Sequence, residues 1–263
     1  MSTKTSHPDT APRVALVTGA SSGFGAAIAR ALGALGWPVA IGARRADKLA
    51  DVAREIGDAG GTSFAHPLDV AKPDSLEEFF AATEKAFGAP EVIVSNAGIG
   101  VPGLFHEVSA ESLRSEIETN LMGTLLVVRR ALPALLARQQ GDIVFVTSLN
   151  ATLPRPFQVG YTASKAGVEG AARALQMELE GTGVRASIVR PGPARTEMGW
   201  DWDPAVLKPM LTSWKRWGIL RHDNYMKPES IAAAVVAVVT APPGVHLDLV
   251  QVNPEGPVEG KNG

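Results

Sequence analysis

The chain has 263 residues, no cysteine and a formal net charge of −2, and 45% of its residues are hydrophobic. The lack of cysteine excludes disulfides, iron–sulfur clusters, thiolate metal sites and a cysteine nucleophile. The near-neutral charge gives no support for nucleic-acid binding, which usually requires a strong positive excess.

Residues 1–12 are polar and lack the apolar run of a secretory signal. They are predicted to form a flexible tail on a cytoplasmic protein. The longest apolar stretch, at residues 231–239, is far shorter than the roughly 20 residues needed to cross a bilayer. No membrane association is expected, and residues 13–263 are predicted to form one domain.

Short, apolar, β-branched segments alternate with alanine- and leucine-rich segments along the rest of the chain. The predicted strands are residues 14–18, 38–43, 63–68, 92–95, 142–147, 184–190 and 247–252. The main predicted helices are residues 24–35, 47–57, 75–87, 110–138 and 163–180. Such alternation implies right-handed crossovers within one parallel sheet. We therefore predict an α/β fold: a doubly wound, Rossmann-like parallel sheet of seven strands with helices on both faces.

A glycine-rich turn, TGASSGFG, follows the first predicted strand and leads directly into a helix. Glycines permit a tight turn and allow backbone N–H groups to approach a diphosphate at the helix N-terminus. A purely structural turn is the alternative, since a glycine cluster alone is weakly diagnostic. The candidate cofactor-binding residues here are Gly19, Ser21, Ser22, Gly23, Phe24 and Gly25.

The end of the second predicted strand indicates which nicotinamide cofactor is bound. A carboxylate at this position would bind the adenosine ribose of NAD and repel a 2′-phosphate. Here Ala43 is followed by Arg44 and Arg45, whose guanidinium groups suit phosphate oxygens. The pattern favours NADP(H) and leaves NAD(H) possible. A solvated basic corner with nothing bound is the alternative.

Two further loops follow predicted strands at the same edge of the sheet. Asp69 and Val70 follow the third strand, and Asn96, Ala97 and Gly98 follow the fourth. Ligands of open parallel sheets bind outside the carboxyl ends of the strands, so both loops are candidate cofactor contacts. Taken alone, each is also typical of an ordinary turn.

Tyr161 and Lys165 are four residues apart, and Ser148 lies at the end of the fifth predicted strand. On a helix, the tyrosine and the lysine would share one face. An ammonium group beside a phenol favours the phenolate, so the tyrosine becomes usable in proton transfer near neutral pH. Ser148 is able to donate a hydrogen bond to a substrate oxygen on which charge develops.

Together these motifs resemble one family. TGASSGFG at residues 18–25, NAG at 96–98, Ser148, YTASK at 161–165 and PGPART at 191–196 are similar to the short-chain dehydrogenases/reductases. The resemblance extends over about residues 13–252. It implies that Tyr161 is the catalytic acid/base, that Lys165 lowers its pKa and binds the nicotinamide ribose, and that Ser148 positions the substrate. It also implies that Asn120 retains a water in the proton relay.

The same resemblance implies further cofactor contacts. The glycine-rich turn binds the diphosphate, Asp69 contacts the adenine, and Thr196 binds the carboxamide of the nicotinamide. Pro191 and Gly192 of the PGPART motif belong to the same cofactor site.

The chain departs from the family pattern at two places. Ser95 occupies the position where the family commonly has a second asparagine before Asn96. The last strand ends in VQVNPEGPVEG, without the paired glycines that many members have. The resemblance implies a homo-oligomer, either a tetramer or a dimer.

The predicted function is an NADP(H)-dependent oxidoreductase that interconverts a secondary alcohol and a ketone on a small molecule. An NAD-dependent alcohol dehydrogenase of the same fold is one alternative. A non-catalytic dinucleotide-binding sensor is another, although such proteins typically lack the tyrosine or the lysine. The five histidines have no metal-binding spacing, so no metal site is predicted.

An insertion at about residues 198–226 follows the sixth predicted strand. Residues 198–217 contain four of the five tryptophans, and the spacing of Leu207, Met210, Leu211 and Trp214 predicts one face of a short helix. We predict a lid over a bulky, apolar substrate. A helix that simply packs on the core is the alternative.

Overall fold

The computed structural model describes residues 12–199, 202–220 and 222–257. Most of the predicted N-terminal tail and Trp200 of the predicted lid lie outside these residues. The strands are β1 (Ala15–Thr18), β2 (Pro38–Ala43), β3 (Thr62–Pro67), β4 (Val92–Ser95), β5 (Gly141–Val146), β6 (Val184–Pro191) and β7 (Leu249–Val252). Their ends lie within two residues of the predicted ones.

All seven strands form one parallel sheet in the order β3-β2-β1-β4-β5-β6-β7. The predicted doubly wound α/β fold is therefore confirmed. Strands β2 and β3 are added on one side of β1, and strands β4 to β7 are then added on its other side, so the direction in which the sheet grows reverses between β3 and β4. In sheets of this kind ligands bind at that reversal, outside the carboxyl ends of the strands.

Helices cover both faces of the sheet. They are α1 (Gly23–Ala34), α2 (Ala46–Asp58), α3 (Pro73–Phe87), α4 (Ala110–Ile117), α5 (Gly123–Arg138), α6 (Val159–Glu178), α7 (Pro204–Arg216) and α8 (Pro228–Val239). Ala15 and Val17 of β1 pack in the apolar layer with α1, α2 and α8, whereas Leu16 packs in the layer with α3, α5 and α6. Successive side chains of a strand point to opposite faces of the sheet. Since the residues of β1 that point to either face are apolar, both faces of the sheet are apolar.

The predicted helix at residues 110–138 is continuous, but its middle is wound differently. Helices α4 and α5 are joined by one π-helical turn, Glu118–Met122. Turns of this type occur frequently at functional sites. By length and composition the whole stretch could cross a membrane. Since Val127, Ala131 and Leu135 pack in the core against the sheet, its apolar character is that of a core helix.

Helix α6 begins at Val159, four residues before the predicted start. Val159 and Gly160 are poor helix formers, so local propensity did not indicate this turn. Packing stabilises it, because Gly160 lies directly against the carboxylate of Glu116 on α4. As a result Tyr161 is in the first turn of α6, on the same helix as Lys165.

The segment after β6 contains α7, so the predicted helical spacing is correct. Met210 and Trp214 are buried, and the Trp214 indole Nε1 donates to the carbonyl of Pro156 at 2.9 Å. By contrast, Met198 is 43% exposed and Trp217 is 71% exposed. The apolar residues of this segment are therefore divided between packed and accessible positions.

Candidate active site

A cleft of about 540 Å³ opens at the carboxyl ends of the central strands. Among its lining residues are these from the predicted site: Gly19, Ser21, Ser22, Gly23, Phe24, Arg44, Arg45, Asp69, Val70, Asn96, Ala97, Gly98, Tyr161, Lys165 and Thr196. The lining does not include Gly25, Pro191, Gly192, Asn120 or Ser148. The structure thus brings motifs that are up to 177 residues apart, from Gly19 to Thr196, into one cavity.

The glycine-rich turn has the conformation that its sequence predicted. Gly19 and Gly23 have φ values of +66° and +54°, in the left-handed region that favours glycine. A Cβ atom at Gly19 would lie 2.7 Å from the Ala97 Cα, and one at Gly25 would collide with the Gly19 carbonyl. Ser22 makes no side-chain capping bond at the start of α1. The first N–H groups of this helix therefore point to a site that suits an anion.

Thr18 and Asn96 fix this turn to the end of β4. The Thr18 hydroxyl accepts from the backbone N–H groups of Asn96 and Ala97 at 3.0 and 3.1 Å. The Asn96 amide in turn donates to the carbonyls of Thr18 and Gly19 at 3.0 and 3.2 Å. Asn96 thus supports the cofactor cleft by shaping the turn. At the neighbouring departure from the family pattern, the buried Ser95 hydroxyl donates to the Thr124 hydroxyl at 3.2 Å.

Arg45 connects three segments at the mouth of the cleft. Its guanidinium donates to the hydroxyls of Ser22 at 2.7 Å and Ser21 at 3.1 Å, and to the carboxylate of Glu197 at 2.8 Å. The hydrogen bond from Arg45 lowers the pKa of Glu197. A guanidinium with two hydroxyls forms a corner that suits a phosphate. Arg44 lines the same cleft with an exposed side chain.

Lys165 lies at the inner end of the cleft. Its side chain is only 4% exposed, its Nζ donates to the Val146 carbonyl at 3.0 Å, and Nζ is 5.9 Å from the centre of the Tyr161 ring. Burial lowers the pKa of Lys165 from 10.5 to about 8. This ammonium is therefore a cation at neutral pH that readily loses its proton in mild base.

Tyr161 has several charged and polar neighbours. The pKa of its phenol is raised above the ordinary value, mainly by burial and also by the charge of Glu116, while hydrogen bonding to the Ser148 hydroxyl and the charge of Arg155 lower it in part. The groups that favour the phenolate in this structure are thus Ser148 and Arg155. The effect of Lys165 on the Tyr161 pKa stays a prediction.

Asn120 lies in the π-helical turn and is fully buried. Its Oδ1 accepts from the Ile99 N–H at 2.8 Å, and its Nδ2 donates to the Ile99 carbonyl at 2.9 Å and to the Ser164 hydroxyl at 3.0 Å. A Cβ atom at Gly98 would lie 3.3 Å from the Asn120 Oδ1 and 3.5 Å from the Lys165 Nζ. Asn120 therefore joins the loop after β4 to helix α6 close to the lysine.

Ser148 begins the short 3₁₀ turn Leu149–Ala151, and its Oγ accepts from the Asn150 N–H at 3.2 Å. The Asn150 amide donates to the Gln158 side chain at 2.8 Å. This buried hydrogen bond links the two ends of the segment between Ser148 and Tyr161. No sequence motif indicated it.

The segment after β6 covers the cleft beside Tyr161. The Trp202 indole Nε1 donates to the Gly100 carbonyl at 3.2 Å. A Cβ atom at Gly100 would lie 3.4 Å from the Met198 sulfur and 3.6 Å from both Trp202 and Tyr161. The wall over this edge of the Tyr161 ring is therefore apolar.

Sequence reasoning missed Glu197 and Arg155 because each belongs to a loop without a recognisable motif, and proximity to Thr196 was the one signal available for Glu197. Trp202 belongs to the predicted lid segment. No group of three or more potential metal-ligating side chains occurs within the residues that the structure describes.

Comparisons with known proteins agree with this geometry. The family model for short-chain dehydrogenases matches residues 13–206. A 3-oxoacyl-[acyl-carrier-protein] reductase from Synechocystis is 31% identical over 245 residues, which cover 93% of this chain and 96% of the relative. An alcohol dehydrogenase from Thermococcus sibiricus, complexed with 5-hydroxy-NADP, has a TM-score of 0.79 and 32% identity, covering 92% of this chain and 96% of the other. An actinorhodin polyketide ketoreductase with NADPH has a TM-score of 0.80 and 30% identity, with the same coverage of both chains. This chain belongs to the short-chain dehydrogenase family.

Proposed function

We propose that the protein is an NADP(H)-dependent oxidoreductase that interconverts a secondary alcohol and a ketone on a bulky, apolar small molecule. The observation that supports it most strongly is the placement of Tyr161 and Lys165 on α6 in the cleft that the glycine-rich turn also lines. Ser148 and Asn120 complete the proposed catalytic set. Ketone reduction is also the activity named for the ketoreductase and the 3-oxoacyl reductase among its relatives.

The cleft fits a dinucleotide phosphate. The open N-terminus of α1 and the glycine-rich turn would bind the diphosphate, and Arg44 and Arg45 with the two serine hydroxyls would bind the 2′-phosphate. Remaining contacts are assigned to Asp69, Val70, Asn96, Ala97, Gly98, Pro191, Gly192 and Thr196. The relatives bound to 5-hydroxy-NADP and to NADPH support the choice of NADP(H).

The cofactor supplies or accepts a hydride at the carbon that bears the oxygen. During reduction, the phenol of Tyr161 donates its proton to the substrate oxygen, and during oxidation the phenolate accepts the hydroxyl proton. Ser148 donates a hydrogen bond to the same oxygen, where charge develops. Lys165 stabilises the phenolate as long as its ammonium is protonated. Asn120 positions the loop around Gly98, next to the route by which a proton would reach Lys165.

Residues 198–226 would act as the lid of this site. Met198 and Trp202 already lie against Gly100 beside Tyr161, and Trp217 is accessible. Closure of such a segment excludes water from the reacting atoms. An apolar substrate is inferred because this wall is apolar.

We also infer a cytoplasmic homo-oligomer, a dimer or a tetramer. The family resemblance supports this assembly. Light scattering from the purified protein measures its mass directly, and a monomer at micromolar concentration would contradict it.

The central experiment measures NADPH consumption with a panel of apolar ketones, and NADP⁺ reduction with the matching alcohols. Tyr161→Phe should lower kcat by at least about 100-fold with little change in nucleotide affinity. Nucleotide binding without any turnover would indicate a dinucleotide sensor, and equal rates with NADH would indicate the NAD-dependent alternative.

A further inference from the structure

Arg155 lies in the segment that connects Ser148 to Tyr161, between the 3₁₀ turn and α6. Its guanidinium carbon is 4.8 Å from the centre of the Trp214 ring on α7. The next residue, Pro156, accepts the hydrogen bond from the same indole at 2.9 Å. Arg155 is therefore fixed between the catalytic segment and the helix of the proposed lid.

The charge of this arginine is not compensated within residues 12–199, 202–220 and 222–257. Its Nε is buried without a hydrogen-bond partner, and its guanidinium forms no ion pair with these residues. By contrast, the buried Arg190 donates to both carboxylate oxygens of Glu169 at 2.8 and 2.6 Å. A desolvated guanidinium without an anion is unfavourable, so its retention suggests that a ligand supplies the anion.

The position of Arg155 relative to the reaction is also informative. It lies in the segment between Ser148 and Tyr161 and stacks on Trp214 of the proposed lid helix, and its charge lowers the pKa of the Tyr161 phenol. The aromatic surface of Trp214 keeps the planar guanidinium in one orientation. A molecule bound between the proposed lid helix and Tyr161 would therefore place an anionic group next to this guanidinium.

We propose that Arg155 binds a carboxylate of the substrate, so that the substrates are apolar oxo acids and the corresponding hydroxy acids. A single half-buried guanidinium matches one carboxylate in charge, and the two groups are able to form a bidentate pair of hydrogen bonds. The inference rests on the proposed carbonyl reduction, which assigns the proton transfer to Tyr161. It adds a charged anchor beside the apolar wall that Met198 and Trp202 form over Gly100.

The test compares acids with uncharged partners of the same shape. Full-length protein with NADPH is assayed with benzoylformate and 3-benzoylpropionate, each against its methyl ester. Arg155→Met removes the charge and keeps much of the side-chain length, whereas Arg155→Lys keeps the charge but lacks the planar guanidinium group. Arg130→Met is the matched control, because Arg130 stacks on Phe80 at 4.9 Å on a surface remote from the cleft.

We expect at least one acid to exceed its ester in kcat/KM by about tenfold or more in the parent enzyme, the size of one charge-assisted hydrogen bond. Arg155→Met should remove that preference: because it also takes a cation away from Tyr161, turnover of acid and ester should both fall, and that of the acid by about tenfold more. Arg155→Lys should retain part of the preference, and Arg130→Met all of it. A preference for the ester in both pairs, or an equal loss of acid and ester turnover, would overturn the assignment.

A second measurement separates this inference from the proposed chemistry. Isothermal titration calorimetry in the presence of NADP⁺ compares 3-phenylpropionate with 3-phenylpropionamide, neither of which has a carbonyl to reduce. Tighter binding of the carboxylate, lost in Arg155→Met, would support the anion site even if no ketone were turned over. Equal affinities for acid and amide would refute the site even if the enzyme reduced neutral ketones rapidly.

Discussion

Replacing Lys165 by methionine should stabilise the fold while it abolishes turnover. Lys165 is 4% exposed, and burial lowers its pKa from 10.5 to about 8. A difference of this size between the unfolded and folded chains corresponds to about 3 kcal/mol. At about pH 7 the amine is protonated in both states, so the folded protein bears the whole of this penalty.

Methionine has nearly the same length and no charge, so it removes the penalty. It also removes the hydrogen bond from Nζ to the Val146 carbonyl, at 3.0 Å, and the loss of that bond costs about 1 kcal/mol. The variant should therefore be more stable than the parent by about 2 kcal/mol at about pH 7. Its kcat should fall by at least about 100-fold, because the phenolate loses its cation.

The pH dependence gives the decisive measurement. Between about pH 8 and pH 10.5 the folded parent loses the lysine proton before the unfolded chain does, so the penalty shrinks as pH rises. Urea unfolding of both proteins at about pH 7 and about pH 9.5 should show the stability difference moving by about 2 kcal/mol in favour of the parent. A difference that does not change with pH would refute the reasoning, because it would mean that the buried amine has an ordinary pKa.

Three further predictions concern the mouth of the cleft and the proposed lid. Arg45→Ala and Arg44→Ala should each weaken NADPH binding more than NADH binding, by roughly 1–3 kcal/mol for a charge-assisted contact; equal losses in fluorescence titrations would contradict a phosphate contact. Glu197→Gln should raise NADPH affinity roughly two- to fivefold, as expected of an exposed ion pair whose carboxylate no longer competes for Arg45; Glu55→Gln, which removes the exposed partner of Arg30, is the control and should change nothing. Hydrogen exchange across residues 198–217 should slow when NADPH and an apolar ketone are added, and full protection already present in the free protein would identify a packed core element instead.

The sequence alone determined the sheet and the location of the site. Apolar, β-branched strands such as Ala15–Thr18 and Val92–Ser95 are recognisable because strands buried on both faces need apolar residues throughout. The glycine-rich turn and Ser148 were assigned to one candidate site because the carboxyl ends of parallel strands meet at one edge, and the family resemblance added the Tyr161 and Lys165 pair to it. Local pattern and topology were sufficient for these features.

Only the tertiary structure decided the electrostatics and the long-range pairings. The lowered pKa of Lys165 arises from burial among residues that are distant along the chain, which no motif reveals. The bond from Arg45 to Glu197 joins positions 152 residues apart, and the stacking of Arg155 on Trp214 joins a loop to a helix that is distant along the chain. The π-helical turn at Asn120 has the same origin, since packing between the loop after β4 and α6 overrides the local preference for a regular helix.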